Sequence, residues 1–130
     1  MESRKELLLS YIKTNVAPIL VDFIFGQDLE DAVILPATID RKELNGHYEE
    51  MNYVPPKWLN ELLNKKNNPL LVIDQIDTIP KEEQKKFIEL LKYRKVSTFD
   101  LPNNCRIIVT ANKINEETIN EEVFSLAARI

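Results

Sequence analysis

The apolar positions of this chain fall into short unbroken runs and into stripes at helical spacing, and the two alternate. Leu8, Tyr11 and Ile12 recur at helical intervals among polar neighbours, which predicts an amphipathic opening helix over residues 2–14. "PILVDFIFG" ends at Gly26 and predicts a buried strand interrupted at Asp22, and the polar, acidic "QDLEDA" breaks the pattern after it. "VILPAT" predicts a second short strand with Pro36 near its end. From Asp40 to Tyr53 the chain is polar and contains Gly46, which reads as a long loop. A helix is predicted over "PPKWLNELLNKK", with Pro56 suited to its first turn and Trp58, Leu59, Leu62 and Leu63 along one face. "NNPLLVID" is apolar without alternation, the signature of a central parallel strand covered on both faces. Thr78 and Pro80 punctuate the start of a further helix. Its first turn carries Glu82 and Glu83, its buried stripe is Phe87, Ile88, Leu90 and Leu91, and Lys92, Arg94 and Lys95 collect at its end. "VSTFDLPNN" is an extended excursion with a turn, "CRIIVTAN" is another buried strand, and a last helix is expected from about Glu116 to Ala128. Strands alternating with helices predict a three-layer α/β fold on a mainly parallel sheet.

In such sheets ligands gather beyond the carboxyl ends of the strands. The two strongest strands end in Asp74 and Asn112, which predicts that both lie at one edge. A carboxylate there can hold a hydrated magnesium ion, and an amide can orient a water or a phosphate oxygen. The same residues also serve simpler ends: an Asp begins turns, and an Asn caps helices.

Composition narrows the chemistry. With 130 residues, 44% hydrophobic and 29% charged, the chain supports one domain with a hydrophobic core, spanning residues 1–130. Seventeen basic against twenty-one acidic residues give a net charge of -4, which does not support nucleic-acid binding. Cys105 is the single cysteine, so no intrachain disulfide or thiolate metal cluster forms, and its place before Ile107-Ile108-Val109 predicts a small core residue. His47, the single histidine, sits in a polar stretch and reads as solvated. No apolar run approaches the roughly 20 residues of a membrane span, and no cleavable leader is visible, so a cytoplasmic protein is expected.

From Pro69 to Lys113, "PLLVIDQIDTIPKEEQKKFIELLKYRKVSTFDLPNNCRIIVTAN" resembles the middle of an AAA+ ATPase core, in the branch that includes MoxR, McrB and midasin. The resemblance extends over residues 44–130 and leaves 1–43 as a divergent N-terminal part. It implies that Asp74 stands at the Walker B aspartate, Gln84 at a glutamine common in the following helix, and Asn112 at the sensor 1 position. It further implies that "VSTFDLPNN" is an extra hairpin, that "LNGHYE" is the glycine-containing loop before a core helix, and that Arg129 of "SLAARI" is an arginine finger offered in trans to a neighbouring subunit. A P-loop NTPase-type fold of reduced size, without a lid domain, is the expectation that follows.

Two departures bear on chemistry. Triphosphate binding in that family uses G-x-x-x-x-G-K-[ST]. This chain has two glycines, Gly26 and Gly46, neither followed by lysine, and "GQDLEDAV" stands where the loop belongs. Asp28, Glu30 and Asp31 repel phosphates. Gln75, in place of a catalytic glutamate, cannot accept the proton of an attacking water. Asp74, Gln75 and Asn112 are thus vestigial candidates, with Asp74 (helped by Asp77) a weak magnesium ligand. The expected role is a non-hydrolysing domain that acts in protein–protein interaction or regulation, needs no cofactor, and either docks beside an active AAA+ ATPase or engages another protein partner. Two other readings stand beside it: an ATPase that binds ATP and magnesium through an unrecognised or partner-supplied phosphate loop, and a nucleic-acid-associated regulator.

Overall fold

A computed structural model of the chain describes residue 6 and residues 18–21, 32–65, 69–97, 99–102 and 105–129, with residues 128 and 129 described by their backbone alone. Of the expected opening helix only Glu6 is described, and it is helical; the part of "PILVDFIFG" beyond Val21 and the acidic residues 27–31 lie outside the described residues.

Five short strands form the main sheet: β1 (Ile19–Val21), β2 (Val33–Pro36), β5 (Leu70–Asp74), β8 (Arg106–Thr110) and β9 (Ala128–Arg129). Their order is β2-β5-β8-β1-β9, and every neighbouring pair is parallel. Helices flank the sheet, so the architecture is the α/β fold that the alternating runs predict. Leu71, Val72 and Ile73 of β5 and Ile107, Ile108 and Val109 of β8 are fully buried, as are all three residues of β1. Successive strand residues point to opposite faces, so burial of consecutive residues requires cover on both. The apolar runs therefore mark the centre of the sheet. β2, an edge strand, alternates buried and exposed residues instead, and its Pro36 sits where no further ladder donor is needed.

The helices are short. α1 (Arg41–Asn45) is capped by Asp40, whose carboxylate accepts from the Glu43 N–H at 2.7 Å. α2 (Lys57–Leu63) follows Pro56 and buries Trp58, Leu59 and Leu62. The Trp58 indole donates to the Leu44 carbonyl at 3.0 Å, tying α2 to α1. Leu63, expected on the buried face, is half exposed. α3 (Lys81–Gln84), a single 3₁₀ turn (Lys85–Phe87) and α4 (Ile88–Tyr93) run on from one another and bury Phe87, Leu90 and Leu91. α5 (Glu121–Leu126) is capped by Asn120, which accepts from the Glu122 N–H at 2.9 Å.

Two segments differ from the sequence expectation. The polar stretch 40–53 is structured: α1 leads into an antiparallel hairpin of β3 (His47–Glu49) and β4 (Asn52–Val54). The last helix starts later than Glu116, because the Asn115 side chain accepts from the Glu117 and Thr118 N–H groups and holds a turn there. It also stops at Leu126, and Ala128–Arg129 join the sheet beside β1. "VSTFDLPNN" does contain a hairpin, of β6 (Lys95–Val96) and β7 (Phe99–Asp100). Its base is closed by Arg94, whose guanidinium donates to the Pro102 and Cys105 carbonyls at 3.0 and 2.7 Å.

Cys105 is a core residue, and burial pushes its thiol up to about 11 although Arg94 and Arg106 pull the other way. At pH 8 roughly one thiol in a thousand is then ionised, and the thiolate is the reacting form. A disulfide-exchange reagent at pH 8 is expected to titrate Cys105 only when the protein is unfolded. Complete labelling of the native protein within minutes would contradict that.

Candidate functional site

The parallel register Ile73↔Val109 sets the carboxyl ends of β5 and β8 side by side. Asp74 closes β5, Thr110 closes β8, and Ala111 and Asn112 come directly after it, so Asp74 and Asn112 do share one edge of the sheet. What lies between them is Thr110, a fully buried residue whose role the sequence does not advertise. Its hydroxyl donates to the Asp74 carboxylate at 2.9 Å and accepts from the Gln75 N–H at 2.8 Å. The other Asp74 oxygen has the Gln75 amide at 3.5 Å, a weak contact. Asn112 donates to the Gln75 side-chain oxygen at 3.4 Å. Asp74, Gln75 and Asn112 thus form one chain of polar contacts, pinned by Thr110.

Asp77 is committed elsewhere. Its two carboxylate oxygens accept from the Asn112 and Lys113 N–H groups, at 3.0 and 2.9 Å, so it caps the segment leaving β8. A carboxylate that satisfies two backbone donors is a structural fastener, and the supposed Asp74–Asp77 pair is not a joint cation ligand. Among the described residues there is no group of three or more His, Cys, Asp or Glu side chains placed to hold a metal ion. One free carboxylate oxygen at Asp74 is a poor donor set for magnesium.

Gln75 adopts a left-handed backbone, with φ 56° and ψ 57°. Both sides hold it there: its N–H is bound by Thr110, and its carbonyl accepts from the Thr78 hydroxyl at 2.7 Å and the Thr78 N–H at 3.0 Å. The conformation costs a non-glycine residue about 1–2 kcal/mol. Gln75→Gly removes that strain, while the greater freedom of the unfolded chain offsets part of the gain. A net rise in stability of about 0.5 kcal/mol is expected on urea denaturation. A loss above about 1 kcal/mol would mean that the long Gln75 side-chain contacts matter more than their geometry implies.

Gln84 is fully buried and holds backbone on both sides of it, so it belongs to the core rather than to the sheet edge. His47 lies on β3, away from the cluster, 3.1 Å from Glu49. Arg129, on β9, is in register with Leu20 of β1 and lies three strands from Asp74, or about 14 Å across the sheet at the usual strand spacing. Its side chain lies outside the described residues.

The fold has a counterpart among solved structures. The fold resembles that of NtrX from Brucella abortus. The two share 18% sequence identity with a TM-score of 0.57, over 100% of this chain and 36% of that one. The chain thus spans about a third of the length of the structure it matches, and at this identity the likeness is one of fold. No family profile and no curated protein matches the chain by sequence.

The resemblance to an AAA+ core of the MoxR, McrB and midasin branch is thereby corrected. Its motifs are ones that a parallel α/β sheet can supply for its own needs: an apolar strand ending in an acid, a second followed by an amide, and a helix between them with acids in its first turn. Asp77 and Gln84 occupy motif-like positions here for reasons of backbone satisfaction. No family match carries the Walker B and sensor 1 labels over to Asp74 and Asn112.

Proposed function

We propose that this chain is a non-hydrolysing regulatory domain that works by binding another protein. One observation carries the reading: two hairpins join to present apolar side chains to solvent. Tyr53 on β4 stacks on Phe99 of β7 at 5.5 Å between ring centroids, and Tyr48 meets Tyr53 at 5.4 Å. On the first hairpin Tyr48 and Met51 are 67% and 95% exposed, and Tyr93, just before the second hairpin in the chain, is 61% exposed, far more than large apolar groups at a closed core. The first hairpin turns through Glu50 and Met51, both with positive φ (47° and 74°). A turn of that kind favours Asn-Gly, so Glu-Met there is strained, and local strain is often retained where a tip makes contacts. Aromatic and Met side chains are the usual anchors of protein interfaces.

Catalysis finds little support at the sheet edge. Gln75 offers an amide where a proton acceptor would be needed, and no glycine–lysine loop supplies phosphate donors. ATP and magnesium are accordingly not ligands in this reading. A net charge of -4 disfavours nucleic acid. Among the described residues no helix is long and apolar enough to cross a membrane.

Affinity capture with the wild type, Met51→Asp and Phe99→Asp, with circular dichroism on each, tests the proposal. A partner retained by wild type and lost by both folded variants is expected. A set of captured proteins unchanged by either substitution would sink it. Calorimetry with ATP and magnesium is expected to give no micromolar binding, and a clear isotherm would return the chain to the enzyme reading.

A further inference from the structure

A second surface, independent of the hairpins, lies beside α5. Ile114, Ile119 and Phe124 floor a groove of 670 Å³, and Asn115, Glu116 and Glu121 stand on its rim. Ile119 is fully buried, whereas Ile114 and Phe124 are half-buried and open to the groove. Among the described residues no basic side chain lines it. Glu116, Glu117, Glu121 and Glu122 crowd the same short stretch, all exposed, and among the described residues none has a basic partner. An apolar floor under an unneutralised acidic rim calls for a ligand with the opposite charge and an apolar anchor.

The groove is also held in shape. The Thr118 hydroxyl donates to the Lys113 carbonyl at 2.6 Å, Asn115 fastens the turn at Glu117 and Thr118, and Gln84 grips Thr118 and Asn120 from below. A site fixed in advance loses little entropy when it is filled.

We infer that this groove binds a basic polypeptide segment, with one large apolar side chain seated between Ile114 and Phe124 and Lys or Arg residues facing Glu116 and Glu121. The charge disfavours nucleic acid and anionic lipid as occupants, because both would meet the Glu116 and Glu121 carboxylates on the rim. A polypeptide supplies cations and an apolar anchor together.

The test uses a synthetic amphipathic helix of Lys and Leu as the probe, with a Glu and Leu peptide of the same pattern as control, followed by fluorescence anisotropy against the full chain. Binding of the basic peptide alone is expected, weakening as sodium chloride is raised through physiological ionic strength because rim charges are screened (the Debye length is about 10 Å at 0.1 M). Glu116→Lys with Glu121→Lys is expected to weaken binding by about tenfold. Phe124→Ala should weaken it as well. Because Phe124 is half-buried, its variant can lose stability, but the two exposed glutamates keep the test separate from folding. Glu43→Lys with Glu61→Lys, a charge-matched control on another face, should leave it unchanged. Equal loss in both charge-reversed pairs, equal affinity for the acidic peptide, or no binding at low salt would each overturn the inference. None of these outcomes touches the hairpin reading, which Met51→Asp and Phe99→Asp probe on a different surface.

Discussion

Gly46→Ala is expected to cost about 3 kcal/mol, lowering the thermal midpoint by about 10 °C. Gly46 ends α1 with φ 82° and ψ -172°, a combination that L side chains rarely adopt. The space around it is closed too. An alanine Cβ would stand 2.4 Å from the Val54 carbonyl oxygen and 2.7 Å from the Tyr53 hydroxyl. The first of these is backbone of the facing strand, so a rotamer change cannot relieve it. The second is a hydroxyl that already donates to the Asn45 carbonyl. Either α1 or the start of β3 has to move, and the Trp58 bond to Leu44 stands on the same short helix. Reduced freedom of the unfolded chain returns about 0.5 kcal/mol, too little to offset strain and overlap. Urea denaturation of wild type and variant checks the figure. A loss under about 1 kcal/mol would mean the hairpin is free to swing away from α1.

The reason Gly46 matters is only half visible in the chain. A glycine among polar residues announces a turn, but nothing nearby announces that two short strands follow it. β3 and β4 have three residues each, bury little, and are held by one another and by the long-range Tyr53–Phe99 stack, a contact that no local pattern encodes. The central strands are legible for the opposite reason. "LLVID" and "RIIVT" are buried on both faces, so each residue carries the signal and the polar residue that ends each run marks the sheet edge. β9 is invisible in the pattern because two residues have no periodicity. The start of α5 lies later than the pattern predicts, since "INEET" is compatible with a helix until the Asn115 side chain claims the backbone donors.

At the sheet edge the same division holds. Asp74 and Asn112 are legible as ends of strands, and their juxtaposition follows from parallel pairing. Thr110 is not, since a threonine inside an apolar run reads as one more strand residue. Its hydroxyl nevertheless decides how Asp74 and Gln75 are held. Asp77 looks like a second acid beside the first, and only its long-range bonds show it to be a cap for Asn112 and Lys113. Motif matching draws on residue types at the right intervals. Many of those intervals arise from the needs of a parallel sheet, whatever the sheet is for.

Gln84→Leu should be more damaging than its size suggests, with an expected loss of about 3–4 kcal/mol. The two side chains are similar in volume, so no cavity is opened. What disappears is a set of three hydrogen bonds at a position with no solvent exposure. The Gln84 amide donates to the Ile79 carbonyl at 3.1 Å and to the Thr118 carbonyl at 2.8 Å, and its oxygen accepts from the Asn120 N–H at 2.8 Å. Leucine leaves two carbonyls and one N–H beside an apolar side chain, and each unmet buried group costs about 1–3 kcal/mol. Relaxation of the exposed turn at 115–117 lets water reach some of them, which keeps the sum below the upper limit. The damage should also be local in character. Gln84 joins the start of α3 to the turn before α5, so hydrogen exchange in the Gln84→Leu variant should rise first at the Asn120 and Val123 amides, with β5 and β8 still protected. A loss under about 1 kcal/mol, or exchange that rises evenly across the sheet, would show that the turn is held by Asn115 and Thr118 without Gln84.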